Sequence, residues 1–197
     1  MQGNQTVDMD FIKTDIDGVY ILKPKVIEDS RGYFFEAFLE KEFCENVREV
    51  KFVQENESLS KKNVIRGLHF QKAPYSQSKL IKVVKGRVLD VAVDIRKGSP
   101  TFGKHVAVEL SEDNHLQVFI PRGFAHGFAV LSDEAVFQYK CDNYYTPGHE
   151  GAIAWNDPDL NIDWRIPAEE AILSAKDQSN PQLKDAENLF NYNDNLY

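Results

Sequence analysis

A histidine, an arginine and a glycine interrupt an apolar run at Asn63 to Gln71, NVIRGLHFQ. A neutral imidazole can remove a proton near physiological pH, because its unperturbed pKa is about 6.5. We therefore interpret this run as a candidate catalytic strand, although a histidine or arginine in an apolar run can also be a structural, paired residue. Side chains alternate along a regular strand, so Arg66 and His69 would point to opposite faces. If both serve one site, we expect Gly67 to mark a bulge that turns one of them.

Short β-rich segments with turn signals about every 8 to 12 residues surround this run. That spacing predicts an all-β sandwich or barrel, and the lack of helical patterns between the segments argues against a parallel α/β sheet. Two of the predicted strands are VYILKPKVI, with Pro24 at an edge or bulge, and GYFFEAF. Short helices are predicted at Glu40 to Val50, Pro167 to Ile172 and Gln182 to Leu189.

The composition is that of an ordinary globular chain, with 197 residues, 42% hydrophobic and 27% charged. The length predicts one domain over residues 1–197, with peripheral tails at 1–10 and about 179–197. A net charge of −8 disfavours a broad nucleic-acid surface.

No apolar run reaches the ~18 residues of a membrane span, and the first residues lack the features of a secretory signal, so we expect a cytoplasmic protein. Cys44 and Cys141 are expected to be reduced.

The segment FIPRGFAHGFAVLSD at 119–133 contains Pro121, Gly123 and His126 in the pattern P-x-G-x-x-H. This pattern resembles the second half of the cupin signature. The resemblance implies a double-stranded β-helix, the cupin jelly roll, with a few short peripheral helices.

Metal-dependent cupins supply H-x-H and a glutamate from the first half of the fold and a histidine from the second. Here the first half offers His69 alone, with Gln71 where a second histidine would stand. Two imidazoles and an amide fall short of the three or four strong ligands that a tight transition-metal site needs. The sequence therefore predicts a site without a metal.

Several further motifs occur in a fixed order along the chain: FVQEN, SKKNVIRGLHFQ, KLIKVVKG, DVAVDIRKGSPTFG, IPRGFAHGFAVLSD, YKCDNYYTPGHEG, IAWNDPDLNIDW and LSAKD. Together they resemble the dTDP-4-dehydrorhamnose 3,5-epimerases of dTDP-L-rhamnose synthesis. The likeness covers residues from about 12 to about 178, and so many ordered motifs are far more specific than one histidine.

The resemblance implies a substrate, dTDP-4-dehydro-6-deoxy-D-glucose, whose C4 ketone acidifies the hydrogens on C3 and C5. Each inversion needs a base on one face, a group that stabilises the enolate oxygen, and an acid on the opposite face. Neither a metal nor a redox cofactor is implied.

The resemblance also implies catalytic roles. His69 matches the base, Asp177 the carboxylate that orients it, Tyr139 the acid on the other face, and Lys79 the cation near the enolate oxygen. A carboxylate on the second ring nitrogen would fix the tautomer of the imidazole. From the residues alone, Asp90 is a rival orienter, because Asp90 and Asp94 lie opposite the apolar face of GRVLDVAVDI. Asp177 ranks first.

Substrate contacts follow from the same comparison. Arg66 and Arg31 match contacts to the diphosphate, whose oxygens suit guanidinium forks, and Tyr144 matches an aromatic that could stack on thymine. Other positions that match ligand contacts are Glu36, Gln54, Asn56, His126, Glu150 and Lys176. The family resemblance further implies a homodimer with exchanged N-terminal strands, in which Arg31 could serve the partner's site.

Three alternatives stay open at this point. One is an epimerase that acts at C3 only or C5 only on a related nucleotide sugar. A second is a metal-dependent cupin that uses His69, Gln71 and His126. The third is a cupin without catalysis, which either binds a nucleotide sugar or has a structural role.

Overall fold

Two antiparallel β-sheets pack face to face in a computed structural model that describes residues 9–197. The strands are β1 (Met9–Lys13), β2 (Tyr20–Pro24), β3 (Ile27–Asp29), β4 (Gly32–Phe34), β5 (Gln54–Lys61), β6 (Ile65–Gln71), β7 (Lys79–Lys85), β8 (Arg87–Asp94), β9 (Arg96–Lys97), β10 (His105–Ser111), β11 (Gln117–Ile120), β12 (Phe124–Val130), β13 (Glu134–Cys141), β14 (Glu150–Ala152) and β15 (Phe190–Asn191).

One sheet has six strands in the order β1-β2-β11-β7-β13-β5, and the other has five in the order β10-β8-β12-β6-β14. Two small pairs stand apart from them, the β3–β4 hairpin and the parallel pair of β9 and β15. The all-β prediction is confirmed.

Strand β8 shows how alternation builds the two sides of the five-stranded sheet. Leu89, Val91 and Val93 belong to a cluster that the C-terminal segment covers, whereas Ala92 belongs to the core between the sheets. Asp90 shares the face of Ala92, because successive side chains point to opposite sides. The prediction that the aspartates lie opposite the apolar face is confirmed. The face that carries the aspartates points between the sheets.

The outer face of the six-stranded sheet is covered by a short helix, α1 (Glu40–Asn46). Its buried Phe43 packs in a cluster with Leu22, Leu80 and Phe119. The helix ends before the predicted Val50, with Val47 at its C-cap. Among residues 9–197, no helix is long and apolar enough to cross a membrane.

Two predicted C-terminal helices are single 3-10 turns, Ala168–Glu170 and Leu183–Asp185. These segments are too short to offset the free-energy cost of starting an α-helix, so packing decides their shape. The tail then continues to β15, and the Tyr197 hydroxyl lies 2.8 Å from Ser78 Oγ. At the other end, β1 includes Met9 and Asp10, while the rest of the predicted 1–10 tail lies outside the described residues.

The predicted strand VYILKPKVI is interrupted at Pro24, where β2 ends. Proline has no N–H to donate to a ladder, so a strand rarely continues through it. The predicted strand GYFFEAF is likewise shorter, Gly32–Phe34, and pairs only with Ile27–Asp29. Every residue of this hairpin is exposed.

Candidate active site

A β-bulge at Gly67 brings Arg66 and His69 to the same face of β6. His69 pairs with His126 and Arg66 with Phe128, so two residues of β6 stand opposite the single Gly127 of β12. Arg66 donates from Nε to Ser60 Oγ at 3.0 Å, which lies on β5 of the facing sheet. The predicted bulge is confirmed.

The bulge depends on glycine in both strands. A Cβ on Gly67, whose φ is +142°, would lie 2.6 Å from Gly127 Cα. A Cβ on Gly127 would lie 2.7 Å from the carbonyl oxygen of Arg66. The two backbones are therefore in direct contact where the strand changes its register.

Asp177 forms a short hydrogen bond with the candidate base. Its Oδ1 lies 2.5 Å from His69 Nε2, and its carboxylate is buried in the 3-10 turn Asp177–Ser179. Burial raises the pKa of Asp177, but the hydrogen bond and charge of His69 outweigh this effect and leave the pKa below its usual value. An ionised Asp177 accepts a hydrogen bond from the Nε2–H group of a neutral His69. The other ring nitrogen, Nδ1, is then unprotonated and able to act as a base.

Tyr139 projects between the sheets from β13, on the sheet opposite His69. It packs against the inter-sheet core beside Phe137. In the neighbouring strand β5, Asn56 lies directly opposite it. Burial raises the pKa of Tyr139, so the phenol keeps its proton and can serve as an acid.

Lys79 begins β7 beside Tyr139, with its Nζ 5.5 Å from the centre of the Tyr139 ring. Burial lowers the pKa of Lys79, while the negative charges of Cys141 and Asp90, when they ionise, oppose that change. A half-buried ammonium group interacts more strongly with an anion than an exposed one does, because less water screens it.

His126 lies directly opposite His69 in the neighbouring strand β12. The structure places Asp90 against this histidine rather than against His69, with 2.7 Å between Asp90 Oδ1 and His126 Nε2. The His126 ring also stacks on Phe137, with 6.0 Å between ring centres. Burial lowers the pKa of His126, although Asp90 opposes that effect. His126 is therefore neutral at physiological pH.

Two more pairs of predicted contact residues are neighbours. Gln54 Nε2 donates to Asn56 Oδ1 at 3.0 Å on β5. Lys176 Nζ lies 2.6 Å from Glu150 Oε2 beside the edge strand β14, whose Ala152 pairs with His69. The hydrogen bond from Lys176 lowers the pKa of Glu150.

Three further predicted contacts are exposed or half-buried. Tyr144 is 63% exposed, as free stacking on a base would require. Arg31 lies in the exposed β3–β4 hairpin and pairs with Asp29 at 2.6 Å. Glu36 follows the same hairpin and is half-buried. Within this one chain, Arg31 pairs with its hairpin neighbour rather than with the groups around His69.

Gln71 is occupied by the loop after β13. Its amide nitrogen donates to Tyr144 O at 3.0 Å and to Tyr75 O, while its oxygen accepts from Thr146 N at 2.8 Å. In residues 9–197 no group of three or more His, Cys, Asp or Glu side chains is arranged to hold a metal ion. Gln71 thus orders the loop, and the remaining donors do not fit the metal-dependent alternative.

Sequence reasoning missed Ser60, which is buried and accepts the hydrogen bond from Arg66. The signal was present, since Ser60 lies at an even spacing from Gln54 and Asn56 and therefore shares their face of β5. It also missed the pairing of Asp90 with His126, which only the register of β8 and β12 reveals.

Comparison with known proteins identifies the family of the chain. The sequence model of the dTDP-4-dehydrorhamnose 3,5-epimerase family matches residues 13–185. A Shigella flexneri protein named dTDP-4-dehydrorhamnose 3,5-epimerase is 53% identical over 180 residues, which are 91% of this chain and 98% of that protein.

Solved structures agree. That of a Legionella pneumophila dTDP-6-deoxy-D-glucose-3,5-epimerase in complex with dTDP-4-keto-L-rhamnose superposes with a TM-score of 0.90 at 48% identity, covering 95% of this chain and all of that one. A 3'-monoepimerase from Streptomyces bikiniensis superposes with a TM-score of 0.86 at 32% identity, covering 92% of each chain.

The two facing sheets form a cupin-like jelly roll, and the similar proteins place the chain among the epimerases. Within that class, the chain belongs to the dTDP-4-dehydrorhamnose 3,5-epimerase family.

Proposed function

We propose that this chain inverts C3 and C5 of dTDP-4-dehydro-6-deoxy-D-glucose and so produces dTDP-4-dehydro-L-rhamnose. The observation that carries the proposal is the pair of acid and base groups on facing sheets. His69, held by Asp177, enters from β6, and Tyr139 enters from β13. A sugar ring between them would meet a base on one face and an acid on the other.

The first step is removal of a proton from a carbon next to the ketone. Nδ1 of His69 takes the proton, and the resulting imidazolium is stabilised by the Asp177 carboxylate at 2.5 Å from Nε2. The electron pair of the broken C–H bond moves onto the ketone oxygen and forms an enolate. In this pair, the Asp177 carboxylate orients the His69 ring and stabilises its positive charge, as carboxylates do for other histidine bases.

The enolate oxygen then needs a positive partner. Lys79 is the cation of the site, half-buried and next to Tyr139. Its ammonium charge stabilises the enolate more than it stabilises the neutral ketone, which is the requirement for lowering the barrier.

Tyr139 completes the inversion by giving its phenolic proton to the opposite face of the carbon. Burial raises the pKa of Tyr139, so the phenol is fully protonated when the enolate forms. The enolate electron pair takes this proton, and the phenolate left behind lies beside the Lys79 ammonium and recovers a proton from solvent. The His69 imidazolium releases its proton from Nδ1 to solvent, and the same two groups can then act on the second carbon.

The nucleotide is bound by groups at the rim of the site. Arg66, held by Ser60, and Lys176 provide positive charge for the diphosphate. Tyr144 provides an exposed ring for stacking on thymine, and Gln54 and Asn56 provide polar contacts.

Arg31 and Glu36 enter this proposal through a homodimer. The β3–β4 hairpin is exposed along its whole length and carries the large side chains of Tyr33 and Phe34. Exchange of this N-terminal region between two copies would cover these rings and carry Arg31 to the partner's site. The two free cysteines are compatible with the proposed cytoplasmic location.

The test is incubation with dTDP-4-dehydro-6-deoxy-D-glucose in deuterated water, followed by NMR. We expect deuterium at both C3 and C5, and a coupled NADPH-dependent reductase should turn over on the product. His69→Ala should abolish both signals while retaining dTDP binding by calorimetry. Wild-type protein that leaves both carbons unlabelled would contradict the proposal.

The second candidate is an epimerase that acts on one carbon, since the Streptomyces bikiniensis 3'-monoepimerase shares this fold. In the same NMR experiment it predicts deuterium at C3 or C5 alone. The higher identity to proteins named as 3,5-epimerases favours inversion at both carbons.

A further inference from the structure

Two histidine–aspartate pairs lie side by side on adjacent strands. His69 and His126 are cross-strand partners, and each uses Nε2 to contact its own carboxylate. The pairs differ in solvent access, because the His69 side chain is 40% exposed and that of His126 is 9% exposed. The mechanism above uses the first pair as a base, whereas His126 is predicted only as a ligand contact and its carboxylate partner Asp90 has no assigned role.

The geometry determines which nitrogen of His126 carries the proton. Asp90 is buried next to the positive charge of Lys79, and it acts as a hydrogen-bond acceptor for His126 Nε2 at 2.7 Å. A neutral imidazole that donates from Nε2 has an unprotonated Nδ1. This Nδ1 has no hydrogen bond to any residue of the described chain. Since no fully buried side-chain nitrogen or oxygen of residues 9–197 lacks a partner, Nδ1 must be partly accessible to solvent, in a side chain that is 9% exposed.

We propose that Asp90 is a positioning residue that holds His126 in the Nε2–H tautomer, so that Nδ1 accepts a hydrogen bond from a hydroxyl of the sugar. This inference rests on the proposed function for the identity of the ligand. The inference assigns His126 a role different from that of His69. His126 orients the sugar ring by accepting a hydrogen bond, and it removes no proton from carbon.

The surroundings of His126 support an acceptor rather than a second base. Burial and the positive charges of Lys79 and His69 lower the pKa of His126, and a weakly basic nitrogen still accepts a hydrogen bond. A protonated His126 would also place a third positive charge next to Lys79 and the imidazolium form of His69. An unprotonated Nδ1 avoids that repulsion.

The direct test is ¹⁵N NMR of the imidazole rings in the ligand-free protein at neutral pH, with His126→Gln used to assign the resonances. We expect the proton on Nε2 of His126 in the wild type. In Asp90→Asn, the amide can also donate, so we expect a mixture of tautomers and a fall in kcat of about tenfold, the effect of one hydrogen bond. A wild-type His126 with its proton on Nδ1 overturns the proposal without any variant.

Asp94→Asn is the matched control, because Asp94 is a buried aspartate on the same face of β8 that bonds Arg96, Ser99 and Thr101 instead of a histidine. We expect it to leave the His126 tautomer unchanged. A tautomer shift in this control would mean that general loosening of β8 explains the effect, and would overturn the role of Asp90.

A double-variant cycle separates action through His126 from action through Lys79. If Asp90 acts through His126, Asp90→Asn should slow the His126→Gln enzyme no further. Full additivity of the two losses overturns the proposal. The tautomer is read without substrate, so a wild-type protein with Nε2–H but no epimerase activity would refute the proposed function alone. An active enzyme with Nδ1–H would refute the inference alone.

Discussion

Asp177 contacts His69 across 108 residues of sequence, with 2.5 Å between Oδ1 and Nε2. The carboxylate comes from a 3-10 turn of the C-terminal segment, whereas the histidine lies on the inner face of a central strand. The base is therefore oriented by a segment that covers the five-stranded sheet, and the packing of that segment determines which ring nitrogen faces the substrate.

Asp177→Asn should reduce kcat by about 10³- to 10⁴-fold, because an amide no longer fixes the tautomer or stabilises the imidazolium. Affinity for dTDP, measured by calorimetry, should change little, since Asp177 does not contact the nucleotide in the proposed arrangement. Steady-state kinetics with the coupled reductase provide the measurement. In a His69→Ala background the same substitution should have almost no further effect; two independent losses would show that Asp177 acts elsewhere.

Tyr139→Phe should abolish formation of the epimerised product while retaining proton exchange at C5, because removal of a proton precedes its return. The phenylalanine keeps the ring that packs beside Phe137 and loses only the hydroxyl. NMR in deuterated water measures both outcomes in one sample. Equal loss of exchange and product would remove Tyr139 from the role of acid.

The fold could be predicted well where alternation alone determines the result. The residues of β8 occupy the expected faces, since a strand buried on both sides still has period two. Gly67 could be identified as a bulge because two functional side chains needed the same face. The register that brings Asp90 diagonally opposite His126, however, depends on which strands are neighbours, and no local pattern contains that information.

The parts of the site that irregular segments provide were also less predictable, because their positions depend on packing rather than on a local pattern. Motif resemblance located Asp177, but its contact with His69 depends on how an irregular segment packs. The β3–β4 hairpin is shorter than predicted, because Pro24 ends β2 and the apolar residues after Phe34 leave the strand. A pattern of apolar residues cannot distinguish a strand from a loop that packs on the sheet.

Gly67→Ala should destabilise the protein by more than about 2 kcal/mol, because the new Cβ would lie 2.6 Å from Gly127 Cα. Gly98→Ala is the matched control, since Gly98 also has a positive φ, +85°, but its Cβ would meet nothing within 4 Å. Backbone strain alone should cost the control about 1 kcal/mol. Urea unfolding measures both, and equal losses would show that the contact between β6 and β12 is not tight.

Asp94 should make stability depend on pH in the acid range. Burial raises the pKa of Asp94, but hydrogen bonds from Arg96, Ser99 and Thr101 outweigh it and hold the pKa below its usual value. A carboxyl group with a lowered native pKa stabilises the fold fully above its unfolded pKa of about 3.9. That contribution is lost as the pH falls through the lowered native pKa.

Asp94→Asn should therefore lower the free energy of unfolding by about 3 kcal/mol at pH 7, because Arg96 loses its buried partner. The difference from wild type should shrink progressively below about pH 4, because the carboxyl is protonated first in the unfolded state and, at lower pH, in the native state. Urea unfolding at several pH values measures this, with the exposed Asp163→Asn as a control that should stay within about 0.5 kcal/mol throughout. A difference that is as large near pH 2 as at pH 7 would mean that shape, rather than charge, explains the loss.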